Sequence, residues 1–280
     1  MRTPLLPDRP RPLVFAHRGC SSLAPENTFA AFRKARETGS PGIELDVHAS
    51  ADGRLVVAHD DTFRRVFPDG FTGDKKLEEL NYGEIRRVDA GSFFDSAFSG
   101  ERPPLLEEVL EEFCPDMYVD IELKSRKTKG DPLPGLLAER LAALGGTISG
   151  SVTVSSFNPI CLAAFKKAWS CLSDNLRNAE KRAAGIPAAV IFCVDQELPW
   201  PLRRGFGRFI AGCDYLKPRY NQVTAFSRFR WAGLEGRPVV PWTVDDRAAA
   251  EALVRPGPAG IPGCAGVITN RPQDVGTLRG

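Results

Sequence analysis

The chain has 280 residues, 42% hydrophobic and 26% charged, with a formal net charge of +2; these are values of an ordinary globular protein and exclude the disordered and fibrous classes. Its basic residues are scattered and form no stripe, which argues against nucleic acid as a partner. No window approaches the roughly 20 consecutive apolar residues of a membrane span, and Met1 to Pro12 lacks the apolar core of a secretory signal.

Four prolines, Pro4, Pro7, Pro10 and Pro12, deny helix and break any strand ladder, so residues 1–12 are expected to be a disordered lead-in. Leu13 to Ala16 then reads as a short buried strand, and Asn27 or Thr28 as the cap of a helix that places Phe29, Phe32 and Ala35 on one face before Gly39. Gly42 to Val47 is the second strand, and the Asp52-Gly53 turn returns Leu55 to His59 as an extra strand beside it. From about 60 to 102 the strand-helix rhythm lapses. That stretch is expected to be an insertion over the mouth of the fold, with one short helix around Glu78 to Val88.

The rhythm then resumes, with strands expected at Met117–Leu123, Val152–Ser155, Ala188–Val194, Cys213–Lys217, Pro238–Val244 and Gly266–Thr269. Helices are expected at Leu105–Phe113, Leu133–Leu144, Ile160–Ala168, Val223–Gly233 and Arg247–Val254. Eight strands alternating with helices over this length imply an α/β fold of the (β/α)8 TIM-barrel type, one domain over 13–275 with a small insertion after the second strand. The charged stretch Asp174 to Gly185 has no counterpart in that rhythm.

Two of the strands carry charge at alternate positions. In Gly42-Ile-Glu-Leu-Asp46 the alternation sends Glu44 and Asp46 to one face, and in Asp120-Ile-Glu-Leu-Lys124 it does the same for Glu122 and Lys124. Carboxylates on core-like strands are costly unless they are paired or hold a metal. They therefore point to a divalent cation bound through oxygen, with a structural ion-pair network, Lys124 answering Glu122, as the alternative. Of only three histidines, His17 and His59 end apolar runs next to charged residues, where an imidazole suits proton transfer near neutral pH. Seven cysteines, an odd number without a Cys-x-x-Cys pair, read as reduced, buried thiols of a cytoplasmic protein.

The order His17-Arg18-Gly19, Pro25-Glu26-Asn27-Thr28, Glu44-x-Asp46, His59-Asp60, Glu122-x-Lys124 resembles the glycerophosphodiester phosphodiesterase family, bacterial cytoplasmic type, over about 13 to 275. Ser155-Ser156-Phe157, Trp242-Thr243-Val244 and Ile268-Thr269-Asn270 extend the likeness. The resemblance implies metal-dependent hydrolysis of glycerophosphodiesters to sn-glycerol 3-phosphate and an alcohol such as choline or ethanolamine. It implies one Mg²⁺ or Ca²⁺ on Glu44, Asp46 and Glu122, an acid and base pair in His17 and His59, and Arg18 and Lys124 on the phosphodiester. Phe157 and Trp242 would wall the alcohol side, Pro25-Glu26-Asn27-Thr28 would brace the active-site loop with Asn27 near the substrate, and His48 would sit at the rim without a catalytic part. A sphingomyelinase D-like or phospholipase D enzyme on the same barrel and a non-catalytic ligand-binding barrel are the other readings. Where the family often has a leucine and an Arg-Thr-Thr turn after the His-Asp pair, this chain has Thr62-Phe63-Arg64-Arg65-Val66.

Overall fold

The computed structural model describes residues 5–9, 11–68, 70–148, 150–177, 185–194, 198–275 and 278. Its strands are β1 (Leu13–His17), β2 (Gly42–Ala49), β3 (Leu55–Val57), β4 (Tyr118–Leu123), β5 (Val152–Ser156), β6 (Ala188–Phe192), β7 (Tyr215–Pro218) and β8 (Gly266–Thr269). Seven run parallel in the order β7-β6-β5-β4-β2-β1-β8, and β3 pairs antiparallel with β2. The gap between β7 and β8 is bridged by 238–244. On one side Val240 N–H donates to the Leu216 carbonyl (2.9 Å) and Trp242 N–H to the Pro218 carbonyl (3.1 Å). On the other, the Ile268 N–H donates to the Pro241 carbonyl (2.9 Å) and Val244 N–H to the Ile268 carbonyl (2.8 Å). The strand expected at Pro238–Val244 thus serves as the eighth stave of a (β/α)8 barrel, but Pro238 and Pro241 have no N–H to give and the ladder stays interrupted.

Alternation along the strands sorts the side chains. Ile43, Leu45, Val47, Val119, Ile121 and Leu123 join the apolar layer between barrel and helices, while Leu13, Phe15, Tyr118, Tyr215 and Ile268 fill the barrel's floor. Leu5 and Leu6, 4% and 2% exposed, belong to that floor. This corrects the expectation of disorder for the described part of the lead-in: its prolines do prevent regular structure, but two leucines cover the open N-terminal end of the barrel, and burying such a side chain is worth roughly 1.5–3 kcal/mol. Residues 1–4 and 10 lie outside the described residues.

The helix expected to stop at Ala168 runs from Pro159 to Arg177. No Gly or Pro interrupts 160–184, and Trp169 and Leu172 continue the stripe of Leu162 and Phe165 against the core. Of the charged stretch 174–185, residues 178–184 lie outside the described residues. The single helix expected around Glu78 to Val88 is two short turns, Leu77–Glu79 and Tyr82–Ile85, because Glu84 caps the backbone N–H of Asn81 (3.1 Å) and starts a new turn. Phe63, Leu77, Leu80, Ile85 and Val88 close over Val56 and Leu105 as a small apolar cluster of their own.

Tyr118 shows how the floor is tied together. Its ring lies over Gly42, where an added Cβ would stand 1.9 Å from a ring carbon. Its hydroxyl accepts from Val14 N–H (2.6 Å) and donates to the Val14 carbonyl (2.9 Å), at the level below the first β1–β2 pair, Phe15 with Gly42. Tyr118→Phe removes both bonds to the Val14 peptide groups, so urea unfolding should show a loss of about 1–3 kcal/mol; an unchanged midpoint would mean that these bonds contribute nothing net.

Candidate active site

The polar motifs meet at the C-terminal ends of the strands, the face where barrels of this kind carry their sites. Register brings them together: His17 on β1 pairs with Glu44 on β2, and Glu44 and Asp46 pair with Asp120 and Glu122 on β4. One carboxylate oxygen each from Glu44, Asp46 and Glu122 lies within 4.8 Å of the others, and all three residues are buried. Lys124 Nζ stands 3.0 Å from Glu122 Oε1 and 3.5 Å from Asp46 Oδ1, and Arg18 Nε is 3.3 Å from Asp46 Oδ2. The carboxylate cluster that could hold a metal ion is thus also ion-paired, through Asp46 and Glu122, with Arg18 and Lys124.

Arg18 is placed by backbone as much as by charge. It has a left-handed φ of 57°, and Gly19 follows at 82° with its α-carbon so close to the helix that an added Cβ would come within 2.6 Å of the Ala31 carbonyl carbon. This turn lets Arg18 N–H donate to Glu44 Oε2 (3.2 Å) while its side chain reaches Glu26 (3.1 Å) and Asp46. Asn27, also left-handed, donates to Asp46 Oδ2 (2.9 Å) and accepts from the Asp46 N–H (3.3 Å). Thr28 caps the helix that starts at Phe29 by accepting from Ala31 N–H (3.3 Å).

The two acids on β2 differ in electrostatics. Burial and then the neighbouring Asp46 push the Glu44 carboxyl well above its ordinary range. Burial acts on Asp46 as well, but Lys124 and Arg18 outweigh it and hold that carboxylate below its usual range. Glu44 is thus the under-neutralised member of the cluster. Three carboxylate oxygens this close are hard donors of the kind Mg²⁺ and Ca²⁺ take, and a cation would favour the charged form of Glu44.

Each of the two motif histidines has its Nδ1 committed to a neighbouring oxygen. Asp245 accepts from Asn270 Nδ2 (2.8 Å) and from Asn270 N–H (2.7 Å), which turns Asn270 Oδ1 to His17 Nδ1 at 2.7 Å. His17 must then donate from Nδ1, leaving the lone pair on Nε2, 3.9 Å from Glu44 Oε2. Burial, reinforced by Arg18, lowers its pKa to about 4, so the ring is neutral at neutral pH. His59 is more open, and its Nδ1 lies 2.7 Å from Asp60 Oδ1. His48 is not in the carboxylate cluster; its Nε2 lies 3.1 Å from the His59 carbonyl. Phe157 and Trp242 meet edge to face with ring centroids 5.5 Å apart, and Trp242 Nε1 donates to the Lys217 carbonyl (2.9 Å).

A second layer lies beneath, which reading the sequence missed. Lys217 on β7 is 1% exposed, 2.7 Å from Asp120 Oδ2 and 3.9 Å from Glu44 Oε1, and it donates to Ser155 Oγ (2.8 Å). Asp120 Oδ1 accepts from Thr153, Ser155 and Tyr215 at 3.1–3.2 Å. A buried ion pair is tolerable only when its remaining lone pairs are satisfied in this way. Asp120 shares the parity of Glu122 and was legible as inward-facing. Lys217 and Asp245 carry no signal of their own, because their partners lie far away in the chain; Asn270 stands in the Ile268-Thr269-Asn270 likeness, but without a role.

Comparison with known proteins gives this constellation its context. The glycerophosphoryl diester phosphodiesterase family model matches residues 17–274. The chain belongs to this family. It is 34% identical over 267 residues to a glycerophosphodiester phosphodiesterase of Caldanaerobacter subterraneus subsp. tengcongensis, covering 94% of this chain and 96% of that one. It is 37% identical over 267 residues to glycerophosphodiester phosphodiesterase 1 of Mus musculus, covering 86% of this chain and 74% of that one. Among solved structures, a phosphodiesterase of Oleispira antarctica, in complex with the product sn-glycerol-3-phosphate, superposes with a TM-score of 0.72 at 24% identity, over 94% of this chain and 95% of that one. A glycerophosphodiester phosphodiesterase from Thermotoga maritima gives 0.64 at 23% identity, over 97% and 100%. These two structures bear out the fold, and family membership makes the protein an enzyme.

Proposed function

We propose that this phosphodiesterase hydrolyses soluble glycerophosphodiesters to sn-glycerol 3-phosphate and an alcohol. The observation that carries the reading is the convergence, on one barrel face, of three buried carboxylates, two cations and two imidazoles each held through Nδ1. Glu44, Asp46 and Glu122 would hold one divalent cation, Mg²⁺ or Ca²⁺. When bound, such an ion withdraws charge from a phosphoryl oxygen.

The remaining work falls to the protein's own groups. Arg18 and Lys124, each already shared with Asp46, receive the phosphodiester and stabilise the charge that builds on its oxygens in the transition state. His17, neutral and with its lone pair on Nε2, takes the proton of the attacking hydroxyl. His59, whose Nδ1 is backed by the Asp60 carboxylate, carries a proton on Nε2 and delivers it to the alkoxide as the bond from phosphorus to the alcohol oxygen breaks. Phe157 and Trp242 line the side where that alcohol leaves.

Among the described residues no helix is long and apolar enough to cross a membrane, which suits a small dissolved substrate. Glycerophosphocholine and glycerophosphoethanolamine should be turned over far faster than phospholipid or sphingomyelin vesicles. Preference for vesicles would overturn the proposal in favour of a lipid-directed phospholipase D.

A further inference from the structure

We infer that Arg65, from the segment after β3, is a positioning residue for the proton donor, an inference that rests on the role proposed for His59. Its guanidinium spans two carboxylates that belong to different motifs. Nε donates to Asp60 Oδ2 (2.7 Å), NH2 donates to Glu26 Oε1 (2.6 Å) and NH1 to Glu26 Oε2 (3.3 Å). Asp60 uses its other oxygen, Oδ1, for His59 Nδ1. Glu26, the anchor at the far end, is itself braced by Arg18 (3.1 Å) in the first strand-to-helix loop.

The geometry has a physical consequence for His59. That residue lies just beyond β3, in a loop, and among the described residues its ring makes one hydrogen bond, to the carboxylate of its own neighbour in sequence. An adjacent Asp on a loop can rotate freely unless its second oxygen is tied. Arg65 ties it, and it does so to a point on the barrel's first loop, so the donor's orientation is referred to the same loop that carries Arg18. A planar fork with fixed donor directions holds two carboxylates at once; a lysine, a point donor on a flexible stem, cannot. The departure from the family pattern at Thr62 to Val66 thus retains one residue that reaches the site, acting on it through Asp60 without touching the reacting atoms.

The test compares two glycerophosphodiesters, one with a choline leaving group and one with 4-nitrophenolate, which departs without a donated proton. Arg65→Ala should lower kcat for glycerophosphocholine by roughly 10- to 100-fold, the usual cost of losing an outer partner of a site residue, with little change in KM. The nitrophenyl substrate should lose far less. In a His59→Ala background the same substitution should cost roughly threefold or less, because both changes then act through one group. Arg65→Lys, which keeps the charge, should fall between Arg65→Ala and the natural enzyme and serves as the reading if the alanine variant does not fold. Equal losses on both substrates, or an undiminished cost in the His59→Ala background, would overturn the inference. A His59→Ala enzyme with full activity would instead strike at the proposed function itself.

Discussion

Excess chelator is expected to take turnover of glycerophosphocholine below detection, with Mg²⁺ or Ca²⁺ restoring it. The expectation follows from the three buried carboxylates, whose oxygens converge within 4.8 Å, and from Glu44, whose carboxyl is pushed well above its ordinary range by burial and by Asp46. Glu44→Gln should then separate binding from stability. Removing a charged ligand weakens an all-oxygen site, so calorimetric titration with either cation should show a clear loss of affinity. The metal-free variant, however, should be no less stable than the natural protein at neutral pH. A carboxyl whose pKa is raised in the folded state costs stability above its unfolded pKa, and the neutral amide removes that cost. The cation should accordingly raise the melting temperature of the natural protein and do little for the variant. Undiminished activity in excess chelator would remove the metal from the account.

Nearly as large an effect is expected at the two histidines. His17→Ala and His59→Ala should each lower kcat by roughly two to four orders of magnitude, the worth of a positioned proton transfer. They should part company on the nitrophenyl substrate: His59→Ala, lacking the donor, recovers because the leaving group needs no proton, and His17→Ala, lacking the acceptor, stays slow. The difference rests on environment. His17 is the more enclosed of the two, neutral and with Nδ1 committed to Asn270, whereas His59 is more exposed and backed by Asp60. If both variants respond alike, the division of acid and base fails. Outright loss of metal binding in either variant would move that histidine into the cation's shell.

The acids were legible in the sequence for a simple reason. Charge at alternate positions of an apolar strand must share one face, whether as ion pairs or as metal ligands, so Glu44, Asp46 and Glu122 announce an inward cluster in the sequence itself. What joins them across strands was not legible. Asp245 orients Asn270 and so decides the tautomer of His17, although 228 positions separate His17 from Asp245 and neither of the two helpers belongs to a charged pattern. Lys217 looks like the polar end of an apolar strand until β7 is seen to lie across the barrel from Glu44. The same limit applies to Leu5 and Leu6, since proline content speaks to backbone regularity and says nothing of where a flanking side chain packs. Strand boundaries, set by local alternation, came out close; the interrupted stave at 238–244 needed both of its neighbours to be seen.

The most direct measurement follows glycerophosphocholine by ³¹P NMR with the metal-loaded enzyme. Cleavage between phosphorus and the choline oxygen, with the glycerol ester kept, yields sn-glycerol 3-phosphate as the sole phosphomonoester, and that single growing resonance is the predicted result. Accumulation of phosphocholine, or a diester signal that persists with Mg²⁺ or Ca²⁺ present, would contradict the account.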